Sequence, residues 1–314
     1  MINLQLVDRR KETDRICVMD FAEATGIGLP TFSAGAHLDF ELPGYGLRSY
    51  SLIDWSAQRQ SADVYTVAVQ IEDEGSGGSK AMHEMQLGQA IQATAPSNDF
   101  ELLDGSAPVL LLGGGIGITP LISMAVQLIS QGRNFSLHYS ARTKAAMGFR
   151  ETLLNALGDH VHFYFDDSKP LNLTTLMTAQ PSTTDLYICG PKGMIDTAIN
   201  EAVNAGLAET NIHVELFSAA ASSATDAPFE VEIKNTGEVF VIPAGQSIIE
   251  VLEAAGKDLM FDCQRGDCGI CQTDVISGIP DHRDVVLSKA DHDSGKVMQI
   301  CVSRALSGRL VLDL

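Results

Sequence analysis

Residues 263–271 read CQRGDCGIC, and a further cysteine, Cys301, follows far downstream. The spacing Cys-x4-Cys-x2-Cys with a distant fourth cysteine is the ligand pattern of a plant-type two-iron, two-sulfide cluster. Three thiolates can converge on one inorganic core only if the loop turns tightly, and Gly266 and Gly269 stand between the ligands as that turn requires. We therefore predict a 2Fe-2S cluster whose ligands are Cys263, Cys268, Cys271 and Cys301.

Three competing interpretations fit these cysteines less well. Structural zinc sites favour two close pairs of ligands, and Cys301 has no neighbouring Cys or His with which to form a second pair. A Rieske centre needs two histidine ligands, and the loop contains none. A thioredoxin-like dithiol made of Cys268 and Cys271 would leave Cys263 without a role.

The composition is that of a multidomain globular protein. A chain of 314 residues with 45% hydrophobic residues is long enough for about two to three domains. The net charge of -19 disfavours nucleic acid or an anionic membrane surface as the main partner, because both would repel this chain. Six cysteines are too few for a disulfide scaffold of this length, which favours the reducing cytoplasm. The N-terminal residues lack the apolar stretch of a signal peptide, and the glycines and proline within the uncharged residues 106–132 favour a buried strand, loop and helix over a membrane span.

The first 104 residues are predicted to form a small antiparallel β-barrel. Short strands separated by turn residues are expected at 4–7, 16–20, 37–42, 49–53, 64–71 and 90–95.

Two short motifs in this barrel suggest a phosphate site. Residues 48–51 read RSYS, and residues 75–80 read GSGGSK and open a short helix through Met85. A glycine-rich turn at a helix N-terminus offers backbone N–H groups to a phosphate, with Arg48 as the cation and Tyr50 as a flat face for a ring. A surface arginine, a core tyrosine and a plain turn would explain the same residues equally well.

From Pro108 onward, strands and helices alternate. Strands are expected at 109–112, 135–140, 161–165, 185–189 and 213–217. This pattern predicts an open, mostly parallel sheet, whose ligands lie beyond the carboxyl ends of the strands. Thr119 is expected to cap a helix that begins at Pro120, runs to about Ser130 and stops at Gly132.

Two turns of this sheet contain glycines. Residues 113–120 read GGGIGITP and residues 189–194 read CGPKGM. The first turn matches neither the fingerprint Gly-x-Gly-x-x-Gly nor the Walker loop, but its glycines would let a pyrophosphate approach the backbone closely. Cys189 taken alone is more often a buried apolar thiol than a functional group.

The small, polar residues 219–227 predict a linker. Beyond it, residues 229–233 and 238–242 are expected to form a hairpin turned at 235–237, and residues 247–255 a helix that leads into the cluster loop. The expected organisation is three domains at 1–104, 105–218 and 229–314, with the linker at 219–228.

Taken in this order, the motifs at 48–51, 113–120 and 189–191 and the cluster cysteines resemble the phthalate dioxygenase reductase family, which includes vanillate demethylase reductases. The resemblance covers essentially the whole chain. It implies a multidomain protein with an antiparallel β-barrel that binds FMN, an α/β parallel-sheet domain that binds NADH, and an α+β β-grasp domain of the plant-type ferredoxin class. It also implies that the chain passes electrons to a separate oxygenase of the Rieske type, and we expect the chain to be a monomer.

The resemblance assigns roles by position. Arg48 would hold the FMN phosphate, Tyr50 would pack on the isoalloxazine, and Ser51 would hydrogen-bond near its reactive nitrogen. Other flavin contacts would come from Ser49, Gly78 and Ser79. The dinucleotide would be bound by Gly114, Gly115, Thr119 and Gly190. Cys189 would lie near the nicotinamide and Phe217 would cover the flavin ring, so that Ser51, Cys189 and Phe217 would serve the hydride transfer.

Two cofactor assignments rest on the resemblance. Residues 140–144, SARTK, contain cations and no acidic residue for a ribose 2′-hydroxyl, which by the general rule favours NADPH, whereas the resemblance implies NADH. No residue excludes an adenylate, so FMN over FAD follows from the family's domain order. A flavin would link a two-electron donor to a one-electron cluster. The alternatives are a reductase for a different oxygenase, such as a di-iron enzyme, and a non-catalytic iron-sulfur sensor, which would need no flavin.

Replacing one cluster ligand tests the cysteine assignment. Cys268→Ser should remove the iron and leave the flavin bound, because the two sites are predicted to lie in different domains. Iron, acid-labile sulfide and flavin would be assayed in the purified variant and the parent protein. Zinc without acid-labile sulfide in the parent protein would contradict the cluster.

Overall fold

The computed structural model describes residues 1–24, 28–56, 64–73, 75, 77–218 and 226–314. They divide into two compact units, Met1–Glu215 and Leu216–Leu314. Residues 219–225, most of the expected linker at 219–228, lie outside the described residues, as does Ser76 of the glycine-rich turn. The domain boundaries given above therefore stay a prediction.

An antiparallel sheet of six strands opens the N-terminal unit. It comprises β1 (Ile2–Lys11), β2 (Ile16–Glu23), β3 (His37–Leu42), β4 (Gly46–Ser51), β5 (Val64–Gln70) and β6 (Ala90–Ala93), with helix α1 (Gly78–Glu84) between β5 and β6. The strand order β4-β3-β6-β1-β2-β5 leaves β4 and β5 as edges. Ile53, just beyond β4, donates its backbone N–H to Thr66 of β5 at 2.8 Å, which joins the two edges and closes the barrel. The predicted barrel is confirmed: every expected strand is present, the one at 37–42 with the expected bounds and the others with shifted ends.

The barrel core follows from alternation along the strands. In β1, Leu4 and Leu6 are fully buried while Gln5 and Val7 are exposed, as expected when one face of a strand points inward. Phe21 and Phe40 meet inside with ring centroids 5.0 Å apart. The barrel therefore has an apolar interior of its own.

A five-stranded parallel sheet completes the N-terminal unit. Its strands are β7 (Val109–Gly114), β8 (Phe135–Ala141), β9 (Val161–Phe165), β10 (Asp185–Cys189) and β11 (Ile212–Glu215). Its helices are α2 (Ile118–Ser130), α3 (Arg150–Leu157), α4 (Leu173–Thr178) and α5 (Lys192–Asn204). In the order β11-β10-β7-β8-β9, the chain leaves β7 toward one edge and β10 toward the other. The carboxyl ends of β7 and β10 therefore flank the topological switch point, where ligands of such sheets bind.

The expected start of α2 is wrong. The helix begins at Ile118 with Gly117 as its cap, and Thr119 lies inside the first turn, where its hydroxyl donates to the Ile116 carbonyl at 3.0 Å. A 3-10 turn precedes the helix directly, so the backbone is already helical before Thr119. The expected stop is confirmed, because Gly132 has a φ of 63° and donates its N–H to the Ile129 carbonyl.

The C-terminal unit is a mixed sheet with a helix packed on it, the expected β-grasp arrangement. Its elements are β12 (Phe229–Ile233), β13 (Val239–Ile242), α6 (Ile248–Ala254), β14 (Gln272–Ser277), β15 (Pro280–Asp281), α7 (Lys289–Ser294), β16 (Val297–Gln299), β17 (Arg304–Ala305) and β18 (Arg309–Leu312). The order is β13-β12-β18-β14-β16, with β12 and β18 parallel, and β15 pairs with β17. The predicted hairpin is confirmed: Gly237 donates to the Ile233 carbonyl at 2.8 Å, and Ile233 donates to Glu238 at 2.9 Å. Ser247 caps α6 by accepting the Glu250 N–H.

Among the described residues, no helix has the length and apolarity that a membrane crossing demands. The uncharged residues 106–132 instead contribute β7 and α2.

The compactness of the N-terminal unit predicts that it folds alone. A fragment of residues 1–218 contains the whole of Met1–Glu215 and its buried cores, so it should unfold cooperatively in urea. Near-ultraviolet circular dichroism and a denaturation curve would measure this. A fragment without a cooperative transition would show that this unit depends on residues after 218.

Candidate functional site

The four predicted cluster ligands converge in the C-terminal unit. Cys263, Cys268 and Cys271 belong to the loop between α6 and β14, and Cys301 follows β16. All four are free thiols, and Cys263 is hydrogen-bonded to both Cys268 and Cys301, while Cys271 is hydrogen-bonded to Cys301. A set of four sulfurs within hydrogen-bonding reach of one another, with no histidine among them, fits a 2Fe-2S cluster.

Positive backbone angles let this loop fold over the sulfurs. Gly266 and Gly269 have φ values of 86° and 80°, and Gln264 has 51°. A Cβ at Gly266 would lie 2.7 Å from the Val302 side chain and 3.1 Å from the Asp284 Cα, so no larger residue fits there. The tight turn that the sequence led us to expect is therefore present.

Hydrogen bonds among the thiols shift their pKa values in opposite directions. Hydrogen bonds from Cys268 and Cys301 lower the pKa of the Cys263 thiol, and the same contacts with Cys263 raise the pKa of Cys268 and of Cys301. Metal binding would release the thiol protons, since thiolates are the ligand form.

Asp284 supports the loop from outside. Its buried carboxylate accepts the Leu287 N–H at 3.0 Å, the Ser303 hydroxyl at 3.3 Å and a hydrogen bond to the His292 ring at 3.1 Å. The next residue, Val285, donates its N–H to the Gly266 carbonyl at 3.0 Å. Asp284 therefore braces the segment after β15, and the Val285 N–H ties that segment to the cluster loop.

The barrel brings its two predicted phosphate motifs together. A Cβ at Gly78 would lie 2.9 Å from Cγ of Arg48, so the arginine stem packs directly on the first residue of α1. Gly77, the cap of α1, has a φ of 96°. Tyr50 forms an edge-on contact with Phe40, and burial raises the pKa of Tyr50 to about 12. The neutral, half-buried ring of Tyr50 thus lies on the same strand as Arg48, whose side chain lies beside the glycine turn.

The serines of these motifs have different surroundings. Ser49 is exposed and donates to Asp39 at 2.5 Å, whereas Ser51 is buried at the end of β4. Ser79 accepts the Glu72 N–H at 3.0 Å, which fixes the entry to α1. The flavin contacts assigned to these residues stay predictions.

Glycines at the switch point allow two turns to touch. A Cβ at Gly117 would lie 2.4 Å from the Cys189 carbonyl oxygen, and one at Gly190 would lie 3.0 Å from the Gly114 Cα. Gly117 and Gly190 are required by backbone packing, and a Cβ at Gly114 would lie 2.7 Å from Cδ of Pro191. Gly115 differs, since it has a φ of 54° and open space where a side chain would point. Among Gly114, Gly115, Gly117 and Gly190, Gly115 leaves its backbone most open to a ligand.

The remaining residues assigned to the dinucleotide and to hydride transfer are placed as follows. Cys189 is fully buried at the end of β10, beside Gly190, and Thr119 is buried in the first turn of α2. Phe217 lies in the C-terminal unit, beyond the end of β11, and is 42% exposed. Its contact with a flavin stays a prediction.

Sequence reasoning missed Glu215. Its carboxylate is buried, and the Cys189 Sγ donates to its Oε2 at 3.9 Å. The two residues face each other across the parallel pair β10 and β11. The signal available in the sequence was an acidic residue inside the expected strand 213–217, but its register with Cys189 could be seen only in the structure.

Known proteins match both units of the chain. Residues 231–306 match the family model of the 2Fe-2S iron-sulfur cluster binding domain. The chain is 40% identical over 320 residues to a vanillate O-demethylase oxidoreductase of Pseudomonas sp., covering 100% of both chains. A solved phthalate dioxygenase reductase, described as a modular structure for electron transfer from pyridine nucleotides to 2Fe-2S, has a TM-score of 0.71 and 32% identity, covering 100% of this chain and 98% of that one. A solved intact type IV self-sufficient cytochrome P450 monooxygenase has a TM-score of 0.76 and 31% identity, covering 100% of this chain and 41% of that one.

The contact between Arg48 and the glycine turn predicts the effect of removing the cation. Arg48→Ala should weaken FMN binding by about 1.5–3 kcal/mol, the range for a hydrogen bond to a charged group. Arg10→Ala, which removes a barrel cation bonded to Asp8 and Asp20, is the matched control. Equal FMN affinity of the two variants in a titration would place the phosphate elsewhere.

The packing at Gly117 predicts a second effect. Gly117→Ala should destabilise the N-terminal unit by about 1–3 kcal/mol, because its methyl group would meet backbone atoms of Cys189 and Gly190 that cannot move aside. Gly193→Ala is the control, since Gly193 lies within α5 with open space around its Cα. Urea denaturation would compare the two. A Gly117 variant as stable as the Gly193 variant would contradict the close approach of the turns.

Proposed function

Because this chain belongs to the phthalate dioxygenase reductase family, we propose that it is the reductase component of a two-component oxygenase of the Rieske type. The observation that carries the proposal is the full-length agreement with a vanillate O-demethylase oxidoreductase, since the alignment includes the barrel, the parallel sheet and the cysteine-bearing unit together. Each of these parts supplies one step of a single electron path.

The chain is an NADH-dependent oxidoreductase whose cofactors are FMN and a 2Fe-2S cluster. When bound, the flavin accepts the two electrons of a hydride together and releases them singly, which suits a cluster that takes one electron at a time. No acid-base or nucleophilic side chain is needed for this reaction. The task of the protein is to bind, orient and shield the reacting groups.

In the barrel, we assign the FMN phosphate to Arg48 and the α1 turn. The stem and Nε of Arg48 pack on Gly78, the first residue of α1. Tyr50 presents a neutral aromatic face on the same strand, and the buried Ser51 ends that strand. These contacts support a flavin whose phosphate and ring are held by neighbouring elements.

At the switch point, we assign the dinucleotide to the two glycine turns. Gly115 leaves its backbone open to a pyrophosphate, and the contact between Gly117 and the Cys189 carbonyl holds the turns in register. The Cys189 thiol would orient the nicotinamide, and Glu215 would hold that thiol. Phe217 would cover the flavin ring.

A cytochrome P450 is the second candidate acceptor. It is favoured by the likeness of this chain to 41% of a solved self-sufficient P450 monooxygenase. We place the Rieske-type partner first because the full-length relatives named here are a demethylase oxidoreductase and a dioxygenase reductase. We propose further that the chain works as a monomer in the cytoplasm, where its thiols stay reduced.

The experiment compares the whole chain with the fragment of residues 1–218. Both should pass electrons from NADH to ferricyanide at similar rates, because neither step needs iron. Only the whole chain should reduce cytochrome c and a purified Rieske oxygenase efficiently. A fragment that reduces the oxygenase as fast as the whole chain would refute the cluster as the exit. A whole chain that reduces a P450 and not the Rieske oxygenase would select the second acceptor.

A further inference from the structure

Gln299 is a fully buried polar residue beside a cluster ligand. It ends β16, two residues before Cys301, and pairs with Gln272 of β14. Its side-chain Oε1 lies 3.3 Å from the Cys271 Sγ. Its Nε2 is buried and has no hydrogen-bond partner among the described residues.

A bound cluster would reverse the direction of the hydrogen bond between Cys271 and Gln299. A free thiol donates its hydrogen to the amide oxygen, but Cys271 as an iron ligand is a thiolate and can only accept. The two ends of a side-chain amide have nearly the same shape, so half a turn about its last bond replaces the oxygen with the N–H₂ group at the same place. The turn breaks no hydrogen bond of Nε2, because that atom has none among the described residues.

We infer that Gln299 is a positioning residue that donates an N–H···S hydrogen bond to the Cys271 thiolate and raises the reduction potential of the cluster. The inference rests on the cluster that the chain binds and is independent of which oxygenase it serves.

The direction of the effect follows from charge. A bound cluster would gain one negative charge on reduction, and its sulfurs would share that charge. A hydrogen bond to a sulfur strengthens as that sulfur gains negative charge, and it acts strongly in a buried place from which water is excluded. The bond therefore stabilises the reduced state more than the oxidised state, and hydrogen bonds to the sulfurs are a known determinant of cluster potential.

The test measures the midpoint potential of the cluster by EPR-monitored redox titration of the holoprotein. Gln299→Met keeps the side-chain length and removes the donor. We expect the equilibrium constant for reducing the cluster to fall about tenfold, a decrease of about 59 mV for one electron. Gln272→Met is the matched control, because Gln272 is exposed on the paired strand. The midpoint potential of the cluster in this variant should equal that of the parent protein. Equal potentials for the Gln299 variant and the parent, with equal iron content, would overturn the inference.

A second measurement detects the hydrogen-bonding nitrogen directly. In the parent protein labelled with ¹⁵N at the glutamine side chains, pulsed EPR of the reduced cluster should show a weakly coupled nitrogen, and the signal should disappear in Gln299→Met if that variant assembles a cluster. Absence of the signal from the parent protein would overturn the inference by itself. Failure of the chain to reduce a Rieske oxygenase would leave both measurements unchanged, so it would refute only the proposed partner.

Discussion

The pairing of β14 with β16 places two sulfur ligands side by side, and the cluster site depends on it. Gln272 of β14 faces Gln299 of β16, and just outside this pair the Ile300 N–H donates to the Cys271 carbonyl at 3.4 Å. Cys271 and Cys301 are thereby brought together by sheet register, although 29 residues separate them along the chain (301 − 271 − 1 = 29). The remaining two ligands are brought in by the loop, which can close only because Gly266 and its neighbours adopt positive φ. The pairing of two distant strands and the local turn of the loop thus bring the four cysteine ligands to one place.

In the N-terminal unit, too, the order of the strands and the local turns make separate contributions to the site. The order of the parallel strands places the ends of β7 and β10 side by side, and glycines then let the two turns approach to contact distance. Gly114, Gly117 and Gly190 serve this packing, whereas Gly115 stays open. The missing dinucleotide fingerprint is understandable in these terms. The glycines of this turn are spaced for contact with the opposite turn, and one of them leaves its backbone free toward a ligand.

What the sequence predicted well was local. Cysteine spacing, the hairpin turn ending at Gly237 and the barrel strands depend on residues close together in the chain, and the structure agrees with them. The Thr119 cap was wrong because a 3-10 turn ahead of the helix, not visible as a residue preference, had already set the backbone. Pairings between distant strands produce three features that the sequence did not predict. These are the strands after the cluster loop, the contact of Glu215 with Cys189 and the burial of Gln299. Such pairings leave no short-range pattern in one sequence, so these residues were found only in the fold.

The central claim is that electrons enter as a hydride on the flavin and leave singly through the cluster. Its most direct test is anaerobic rapid mixing of the holoprotein with one equivalent of NADH, followed by flavin absorbance and by freeze-quench EPR of the cluster. The account predicts that flavin absorbance falls first and that the EPR signal of the reduced cluster then rises to at most one electron per chain. It also predicts no reduced cluster in protein stripped of flavin. A cluster that is reduced by NADH without flavin, or that stays oxidised while the flavin is fully reduced, would contradict it.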